Sequence, residues 1–460
     1  ILTHAPGTTV GPRNESEQGD IKAAQLNKAC WQFIQDQEKF SVKKQLFAQD
    51  FTVIGEVACK IFWDWAKGDV IGYEPMMDES GEQTYSDVGQ PMSNPKAPIY
   101  AGGLCYELIH PMNLIRAAWA KTIEESPFLG VKKMVEVSVL KKKYQNDPDK
   151  MAMIQAGRDE TYKVFDGISG EYKSSENEVF IREMFYRPCP DYPRGYFFIL
   201  TNNGILEEGE LPIGKFPIVY AGWDNIQTTP RHRSHIKVIR PNQVEINRAS
   251  SKVAEHQITL GDDKLITNSV SKISQGAAIP GVRSVHVNGA APIVLPGRSG
   301  DQYLEHIAAN IAEMYQLSFL DEDKLEKNGD LDPYAMLFRS LKQKKYFSLY
   351  IEKFERFLVD ITDLSLRLFK AFSTEKEIIP AIGKSEIINI PELKKTEDIS
   401  FQIKIDPQTD DIESKMGKQL TFNHILQYVG PQLSSDQLGK IIRSMPYANN
   451  EEAFSDMTID

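Results

Sequence analysis

Hydrophobic residues near the amino terminus recur every three or four positions, which is the spacing of a buried helix face. Leu26 and Cys30 follow this pattern, and Phe47 and Phe51 continue it further along the chain. The sequence therefore predicts helical structure throughout residues 21–67, with these side chains in the core.

The middle of the chain has a different pattern, typical of strands joined by tight turns. Residues 179–186 and 196–201 are rich in aromatic and β-branched side chains, which suit strands. Asn202-Asn203-Gly204 follows the second run, and Asn-Gly accepts the positive φ angles of a type I′ hairpin turn. We therefore expect a small β module within residues 179–220.

Amphipathic helices dominate the second half of the chain. Residues 301–317 carry one apolar stripe, and Ser299 with Gln302 matches a capping box for this helix. A longer stripe starts at Pro333, which suits a first helical turn, and continues to about Phe372. Such a helix would extend about 60 Å if unbroken. Further patterns predict a polar helix at 241–260, a strand at 399–405, and final helices at 414–429 and 435–444.

The composition indicates a large globular protein and disfavours a protein that binds nucleic acid tightly. The chain has 460 residues, 41% of them hydrophobic, so two or three domains are expected. Its 53 basic and 64 acidic residues give a net charge of −11, whereas tight phosphate binding needs clustered Lys and Arg. A protein past which DNA slides is still compatible with this charge. Because the sequence has neither a signal peptide nor an apolar run of roughly 20 residues, we expect synthesis in the cytoplasm and no membrane association.

The residues that most often carry chemistry do not form an assembled catalytic or metal-binding motif. Four dispersed cysteines match neither a zinc ligand set nor a disulfide framework, so buried free thiols in a reducing compartment are expected. These cysteines are Cys30, Cys59, Cys105 and Cys189.

Two tempting ligand-binding motifs fail at specific positions. Residues 209–215 match the G-x-x-x-x-G-K half of a phosphate-binding loop, but Phe216 replaces the Mg²⁺-binding Ser or Thr and a strand pattern follows. The acidic segment 321–332 resembles a calcium loop, yet Leu325 occupies a ligand position and no glutamate closes the loop. We therefore expect no catalytic residue, no metal site and no cofactor.

Two charged clusters permit more than one interpretation. His232 and His235 lie within a basic segment that has no neighbouring Asp or Glu, which predicts a solvated connector or, alternatively, a phosphate contact. Asp262-Asp263-Lys264 resembles part of a nuclease core, but no second carboxylate cluster has a convincing spacing.

Four segments, taken together and in order, resemble the portal proteins of tailed bacteriophages, which are head-to-tail connectors, and especially those of the short-tailed and crAss-like type. The likeness extends more loosely over residues 101–372. The four segments are Glu183-Met184-Phe185-Tyr186-Arg187-Pro188, Tyr192-Pro193-Arg194-Gly195-Tyr196, Gly209-Glu210-Leu211-Pro212 and Arg240-Pro241-Asn242-Gln243-Val244-Glu245-Ile246-Asn247-Arg248-Ala249-Ser250.

The resemblance implies an α+β fold with portal-like architecture: a β-rich wing, two stem helices flanking a small clip, a tunnel loop and a long wing helix. Residues 179–220 belong to the wing or, alternatively, to the clip. By position, the implied parts are a helical part of the wing at 1–72, the β-rich wing at 73–237, stem helix 1 at 238–260, the clip at 261–298, stem helix 2 at 299–317, the tunnel loop at 318–333, the long helix with returning wing strands at 334–410, and crown-ward helices at 411–460.

The resemblance also implies a function without catalysis. A portal is a ring, normally of twelve subunits, at one vertex of the virion capsid, and double-stranded DNA passes through it during genome packaging and ejection. Implied partners are the terminase large subunit, which hydrolyses ATP, the head-tail adaptor proteins and the major capsid protein.

The site residues carried over by position fall into two groups. Candidates for the channel or for DNA contact are Asn247, Arg248, Ser251, Lys252, Asp321, Lys324 and Lys327. Candidates for a clip surface that faces the motor or the adaptor are Lys264, Lys272, Arg283 and Arg298. Two alternatives stay open: a metal-dependent nuclease or other DNA-processing enzyme that uses Asp262, Asp263 and Lys264, and a capsid or adaptor protein without a channel.

Overall fold

The computed structural model describes residues 7–68, 70–75, 93–157, 177–226, 229, 231–260, 264–266, 272–273, 287–288, 293–295, 300–318, 333–373, 378–380, 387–396 and 400–406. These residues mix helices and sheets, which confirms the predicted α+β class. The chain divides into two compact units. The first unit comprises Ile1–Ser234 and Pro333–Asp460, and the second comprises His235–Asp332.

The bounds of the elements are as follows. The helices are α1 (Gln18–Gln37), α2 (Phe40–Val53), α3 (Val137–Lys143), α4 (Pro148–Met153), α5 (His235–Leu260), α6 (Asp301–Leu317), α7 (Pro333–Phe372) and α8 (Ile390–Lys395). The strands are β1 (Gly7–Pro12), β2 (Glu56–Asp64), β3 (Val70–Pro75), β4 (Ser93–Tyr100), β5 (Gly103–Ile109), β6 (Leu114–Arg116), β7 (Phe128–Glu136), β8 (Glu178–Tyr186), β9 (Tyr196–Leu200), β10 (Ile205–Glu210), β11 (Ile218–Gly222), β12 (Asp224–Asn225), β13 (His232–Arg233), β14 (Lys264–Ile266), β15 (Lys272–Ile273), β16 (Val287–Asn288), β17 (Ile293–Leu295), β18 (Ile378–Pro380), β19 (Ile387–Asn389) and β20 (Phe401–Asp406).

A three-stranded antiparallel sheet, ordered β11-β2-β5, forms the middle layer of the first unit. Alternate residues of its central strand face opposite sides, as the pleat of a strand requires. Cys59 and Ile61 pack among α1, α2 and α7, whereas Ala58 packs towards the five-stranded sheet β10-β9-β8-β7-β6. The first unit therefore has three layers, which are the helices, the three-stranded sheet and the five-stranded sheet.

Aromatic residues fill the core between the helices and the three-stranded sheet. Phe47 and Phe51 of α2 meet Phe357 and Phe354 of α7, with ring centroids 5.6 Å apart in each pair. Trp31 of α1 is buried in the same cluster. Aromatic pairs of this kind add about 0.5–1.5 kcal/mol beyond the burial of their surface.

Four charged side chains lie between the two sheets. Lys60 of β2 and Lys133 of β7 both bind the Glu183 carboxylate on β8, and Lys133 Nζ lies 2.6 Å from Glu183 Oε1. Glu107 of β5, which pairs with Lys60 in register, lies 3.1 Å from Lys133 Nζ and 3.9 Å from Lys60 Nζ. Two cations and two anions balance, so the cluster joins the sheets without a net buried charge.

The pKa values of this cluster reflect its burial and its pairing. Burial alone would raise the pKa of Glu183, but the positive charges of Lys60 and Lys133 lower it overall. Burial lowers the pKa of Lys60 despite the neighbouring Glu183. Glu183 therefore stays ionised at neutral pH and forms ion pairs with both lysines.

Several predicted elements are confirmed. Helix α6 has the predicted bounds, and α7 covers the predicted 40 residues from Pro333 to Phe372. Strands β8, β9 and β10 are antiparallel neighbours, and the predicted hairpin joins β9 to β10. The predicted type I′ turn is wrong, because neither Asn203 nor Gly204 has the positive φ that this turn requires. Strand β20 begins at Phe401, two residues later than predicted.

The predicted helical structure of residues 21–67 is wrong beyond residue 55. Helix α2 ends at Val53, and residues 56–64 form the central strand β2. Residues 56–61 are all buried, because β2 has a sheet partner on each edge and a packed layer on each face. A strand buried on both faces shows no apolar alternation, so periodicity does not separate it from a buried helix.

Two predicted helix starts also need correction. Helix α5 begins at His235, before the predicted starts at residues 238 and 241, and Pro241 lies inside it rather than in the first turn. The N-cap of α6 is Gly300, which makes no side-chain cap bond, so the predicted capping box of Ser299 and Gln302 does not form the cap. The final helices predicted at 414–429 and 435–444 lie outside the described residues.

The four cysteines are free, as predicted, but they are not uniformly buried. Cys30 and Cys59 are buried, Cys105 is half-buried and Cys189 is exposed. Burial raises the pKa of the Cys59 thiol, which keeps it protonated within the core.

Replacing Glu183 with Gln is expected to lower the free energy of unfolding by about 3–5 kcal/mol, because Lys60 and Lys133 would stay buried without their shared carboxylate. Urea denaturation followed by tryptophan fluorescence measures this loss. The matched control is Glu352→Gln, which breaks an exposed pair with Arg356 and is expected to cost less than about 0.5 kcal/mol. Equal losses in the two variants would contradict the role given to the buried cluster.

Candidate functional site

The second unit contains a pair of antiparallel helices, α5 and α6, that pack along each other. Asn242 Nδ2 donates to Glu313 Oε2 at 2.9 Å near the start of α5 and the end of α6. The rings of His256 and Tyr303 lie 6.2 Å apart near the opposite ends of the two helices. These two contacts fix the antiparallel direction.

Polar residues occupy the buried positions of this helix pair. Among the described residues of the second unit, Ala249 is the one buried hydrophobic residue, and the other buried residues are Asn242, Asn310 and Ser318. Asn310 donates to the carbonyl of His306 at 2.8 Å. Because burial of apolar surface is the main stabilising term in folding, this interface contributes little on its own.

Four of the predicted channel residues lie together on one exposed side of α5. Asn247, Arg248, Ser251 and Lys252 follow an i, i+1, i+4, i+5 pattern, which places them on adjoining parts of the helix surface. All four side chains are exposed. The structure therefore brings these candidates together.

The charged members of this group have partners on the same helix. Arg248 Nη1 lies 2.7 Å from Glu245 Oε1, and Lys252 Nζ lies 2.6 Å from Glu255 Oε2. The Ser251 hydroxyl donates to the Asn247 carbonyl at 2.9 Å. Each cation is thus accompanied by a carboxylate, so this side of α5 is strongly polar but carries little net charge.

The other predicted site residues are less completely described. Lys264 lies in β14, which pairs with β17, and Lys272 lies in β15, which pairs with β16. The remaining candidates lie outside the described residues, and these are Arg283, Arg298, Asp321, Lys324 and Lys327. The carboxylates of Asp262 and Asp263 and the segment 321–332 lie outside them as well.

Large apolar side chains are exposed at one end of the helix pair. Ile258 of α5 is 84% exposed, and Leu304 of α6 is 53% exposed. Tyr303, which is 39% exposed, lies next to Leu304 and contacts His256, two residues before Ile258. We refer to Ile258, Tyr303 and Leu304 as the apolar end of the helix pair.

The basic segment before α5 is anchored to the first unit, so the predicted solvated connector is wrong for its first residues. Glu56 of β2 accepts a hydrogen bond from the His232 backbone N–H at 2.6 Å. The same carboxylate lies 3.1 Å from Arg116 Nη2 and 3.4 Å from Arg231 Nη1. Glu56 precedes this segment by about 175 residues, so it could not be identified as a partner from proximity in the sequence. Arg233 has a nearer partner in Asp224, at 3.0 Å.

His232 is neutral in this environment. Burial lowers its pKa to about 4, even though the Glu56 charge acts in the opposite direction. The Tyr220 hydroxyl accepts a bond from Arg116 Nη1 at 3.0 Å and is hydrogen-bonded to His232 Nδ1 at 2.7 Å. The ring is therefore a neutral member of a hydrogen-bonded network and not a solvated cation.

Two glycines allow residues 231–234, which we call the connector, to approach the sheet closely. A Cβ atom at Gly55, whose φ is +87°, would lie 2.4 Å from the Ser234 backbone nitrogen. A Cβ atom at Gly222 would lie 2.1 Å from the His232 ring. Both positions require glycine because there is no room for a side chain.

The rejected phosphate loop is the end of strand β10 and the turn that follows it. Gly209 is part of strand β10, and β11 begins at Ile218, so no helix opens after Lys215. The Lys215 ammonium lies 2.8 Å from Asp363 Oδ2. Its charge is therefore used in an ion pair with α7.

Comparison with known proteins gives no match for this chain, either among protein-family models or among curated proteins. Within the described part of the chain, no three His, Cys, Asp or Glu side chains are grouped so that they could hold a metal ion. The helices described also include none with the length and apolarity needed to cross a bilayer.

Replacing Gly55 with Ala is expected to displace the connector, because a residue with a side chain at this positive φ also clashes with Ser234. Limited trypsin digestion below the unfolding temperature should then cleave after Arg231 and Arg233 several times faster than in the wild type. Gly19→Ala is the control, since no atom lies within 4 Å of the added Cβ. Unchanged cleavage in Gly55→Ala would show that the connector is not held in this way.

Proposed function

We propose that this chain is a subunit of a phage portal, a ring-shaped channel at one capsid vertex through which the genome is packaged and ejected. The observation that carries the proposal is the α5–α6 pair, which is polar in its interior and apolar at an exposed end. Such a pair has little reason to be stable alone. Copies of the chain arranged around an axis bury the apolar end and leave the polar sides facing water.

The geometry of the proposed assembly follows from the asymmetry of this surface. The apolar end is formed by Ile258, Tyr303 and Leu304, and its counterpart on the next subunit is a different surface. A head-to-tail interface of this kind produces a closed ring when the rotation between subunits divides a full turn. The four-segment resemblance to portals supports the same arrangement, for which twelve subunits are normal.

The charges on α5 are compatible with DNA that moves past the helix. A protein that neutralises several phosphates with unpaired Lys and Arg releases counterions and holds DNA tightly. Arg248 and Lys252 are instead paired with Glu245 and Glu255. The channel wall is therefore wettable and only weakly attractive to phosphate, which favours sliding over retention.

The proposal assigns no catalytic step to this chain. The terminase large subunit supplies ATP hydrolysis during packaging, and head-tail adaptor proteins replace it afterwards at the clip, residues 261–298. The major capsid protein surrounds the wing. These partners and the location in the virion are part of the proposal and rest on the resemblance.

The purified chain is expected to form rings with a central hole in negative-stain images, and to elute as an oligomer whose mass is measured by light scattering. Ile258→Asp combined with Leu304→Asp should reduce ring formation strongly, because charges would enter the apolar end. Val139→Asp is the control, since it adds a charge at an exposed apolar position of α3 in the first unit. Monodisperse monomers at all concentrations would contradict the proposal.

A second test concerns the paired charges on α5. Glu245→Gln with Glu255→Gln removes the partners of Arg248 and Lys252, so the double variant is expected to bind duplex DNA about tenfold more tightly at low salt, with a steeper salt dependence. Fluorescence anisotropy over a salt series measures both quantities. The control, Glu352→Gln with Glu355→Gln on α7, carries the same change in net charge. An equal gain in affinity for the control would show that net charge alone is responsible.

A further inference from the structure

A cavity of about 380 Å³ opens on the first unit beside the connector. This volume lies within the range of ~300–1,000 Å³ that small-molecule sites occupy. Its lining combines apolar side chains with three cationic ones, Arg116, Lys132 and Arg231, and it includes no carboxylate. A lining with cationic but no anionic side chains is suited to an anionic ligand.

The guanidinium groups of Arg116 and Arg231 are held in place by hydrogen bonds to other parts of the protein. Arg116 is almost completely buried, and it bonds to Glu56 and to the Tyr220 hydroxyl. Arg231 Nη1 donates to the Pro111 carbonyl at 2.8 Å and also contacts Glu56. Guanidinium groups fixed in advance lose little entropy when they bind a planar or tetrahedral anion, and their N–H groups match carboxylate and phosphate oxygens.

The local charge balance is positive although the chain carries a net charge of −11. Glu56 supplies one negative charge against the two positive charges of Arg116 and Arg231. His232, which also contacts Glu56, is neutral at physiological pH because its pKa is about 4. Lys132 is the third cationic side chain of the lining.

The apolar part of the lining determines what else the ligand carries. Leu114 is buried, Ile115 is half-buried and Met112 is 51% exposed. These side chains offer a surface for a compact hydrophobic group next to the cations. A simple inorganic anion would leave that surface uncovered.

We propose that this cavity binds a small organic anion, in which a phosphate or carboxylate group meets Arg116, Lys132 and Arg231 and a compact apolar group covers Met112, Leu114 and Ile115. The site is separate from the proposed channel, and all of its lining residues belong to the first unit. The inference therefore does not depend on ring formation.

The probe is phenyl phosphate, titrated into the full chain by calorimetry at low salt. Saturable binding of one molecule per chain is expected, weaker binding is expected for inorganic phosphate, and none for neutral benzyl alcohol. A parallel titration with benzoate separates the two anion classes, because the tighter of the two ligands identifies the preferred head group. Failure of both phenyl phosphate and benzoate to bind the wild type would overturn the proposal.

Met112 provides a matched pair of variants, because its side chain is half exposed. Met112→Glu places a carboxylate beside the bound anion and is expected to weaken binding at least about tenfold, which equals about 1.4 kcal/mol. Met112→Gln has nearly the same shape without the charge, so it measures the loss of apolar surface alone and should bind more tightly than Met112→Glu. Equal affinities of these two variants would show that the anion does not bind here.

Lys132 tests the cationic side of the cavity independently. Lys132→Gln is expected to weaken phenyl phosphate binding several-fold, whereas Lys141→Gln, an exposed lysine on α3, should have no effect. Thermal melting of each variant without ligand verifies that the fold is intact. Equal binding by Lys132→Gln and Lys141→Gln would exclude Lys132 from the site, and binding of benzyl alcohol as tight as phenyl phosphate would refute an anion site altogether.

Discussion

The buried charges between the two sheets are the interaction on which the rest of the first unit depends. Glu183 receives both Lys60 and Lys133, and Glu107 completes a balanced group of four. A charge that leaves water is costly unless its partners are correctly placed, so the sheets are stable together in one relative position and not in shifted ones. The apolar residues on either side of the cluster supply the attraction between the sheets, and the charges select the register.

A second buried carboxylate extends the same principle to the connector. Glu56 binds Arg116, Arg231 and the backbone of His232, and it therefore ties residues distant in sequence to the central strand β2. The glycines at positions 55 and 222 make this close approach possible. The network therefore holds Arg231 and His232 against strand β2 within the first unit. The same carboxylate positions two of the three cationic side chains that line the neighbouring cavity, Arg116 and Arg231.

The two units thus differ in how they are stabilised. The first has a large aromatic core and buried ion pairs, whereas the described part of the second has one buried hydrophobic residue. A polar helix pair of this kind is suited to an environment in which some of its surface meets other copies and some meets water. This contrast, more than any single motif, is the physical support for an assembled channel.

The sequence by itself determined the elements whose signals are local: the α+β class, helices α6 and α7 with their bounds, and the β9–β10 hairpin. It also excluded the phosphate loop, since Phe216 and the following strand pattern are visible without a fold. Only the tertiary structure decided that residues 56–64 are a strand, because burial on both faces removes the periodicity that distinguishes a strand from a helix. It alone showed that His232 is largely shielded from solvent and neutral, since its partner Glu56 is remote along the chain and close only after folding.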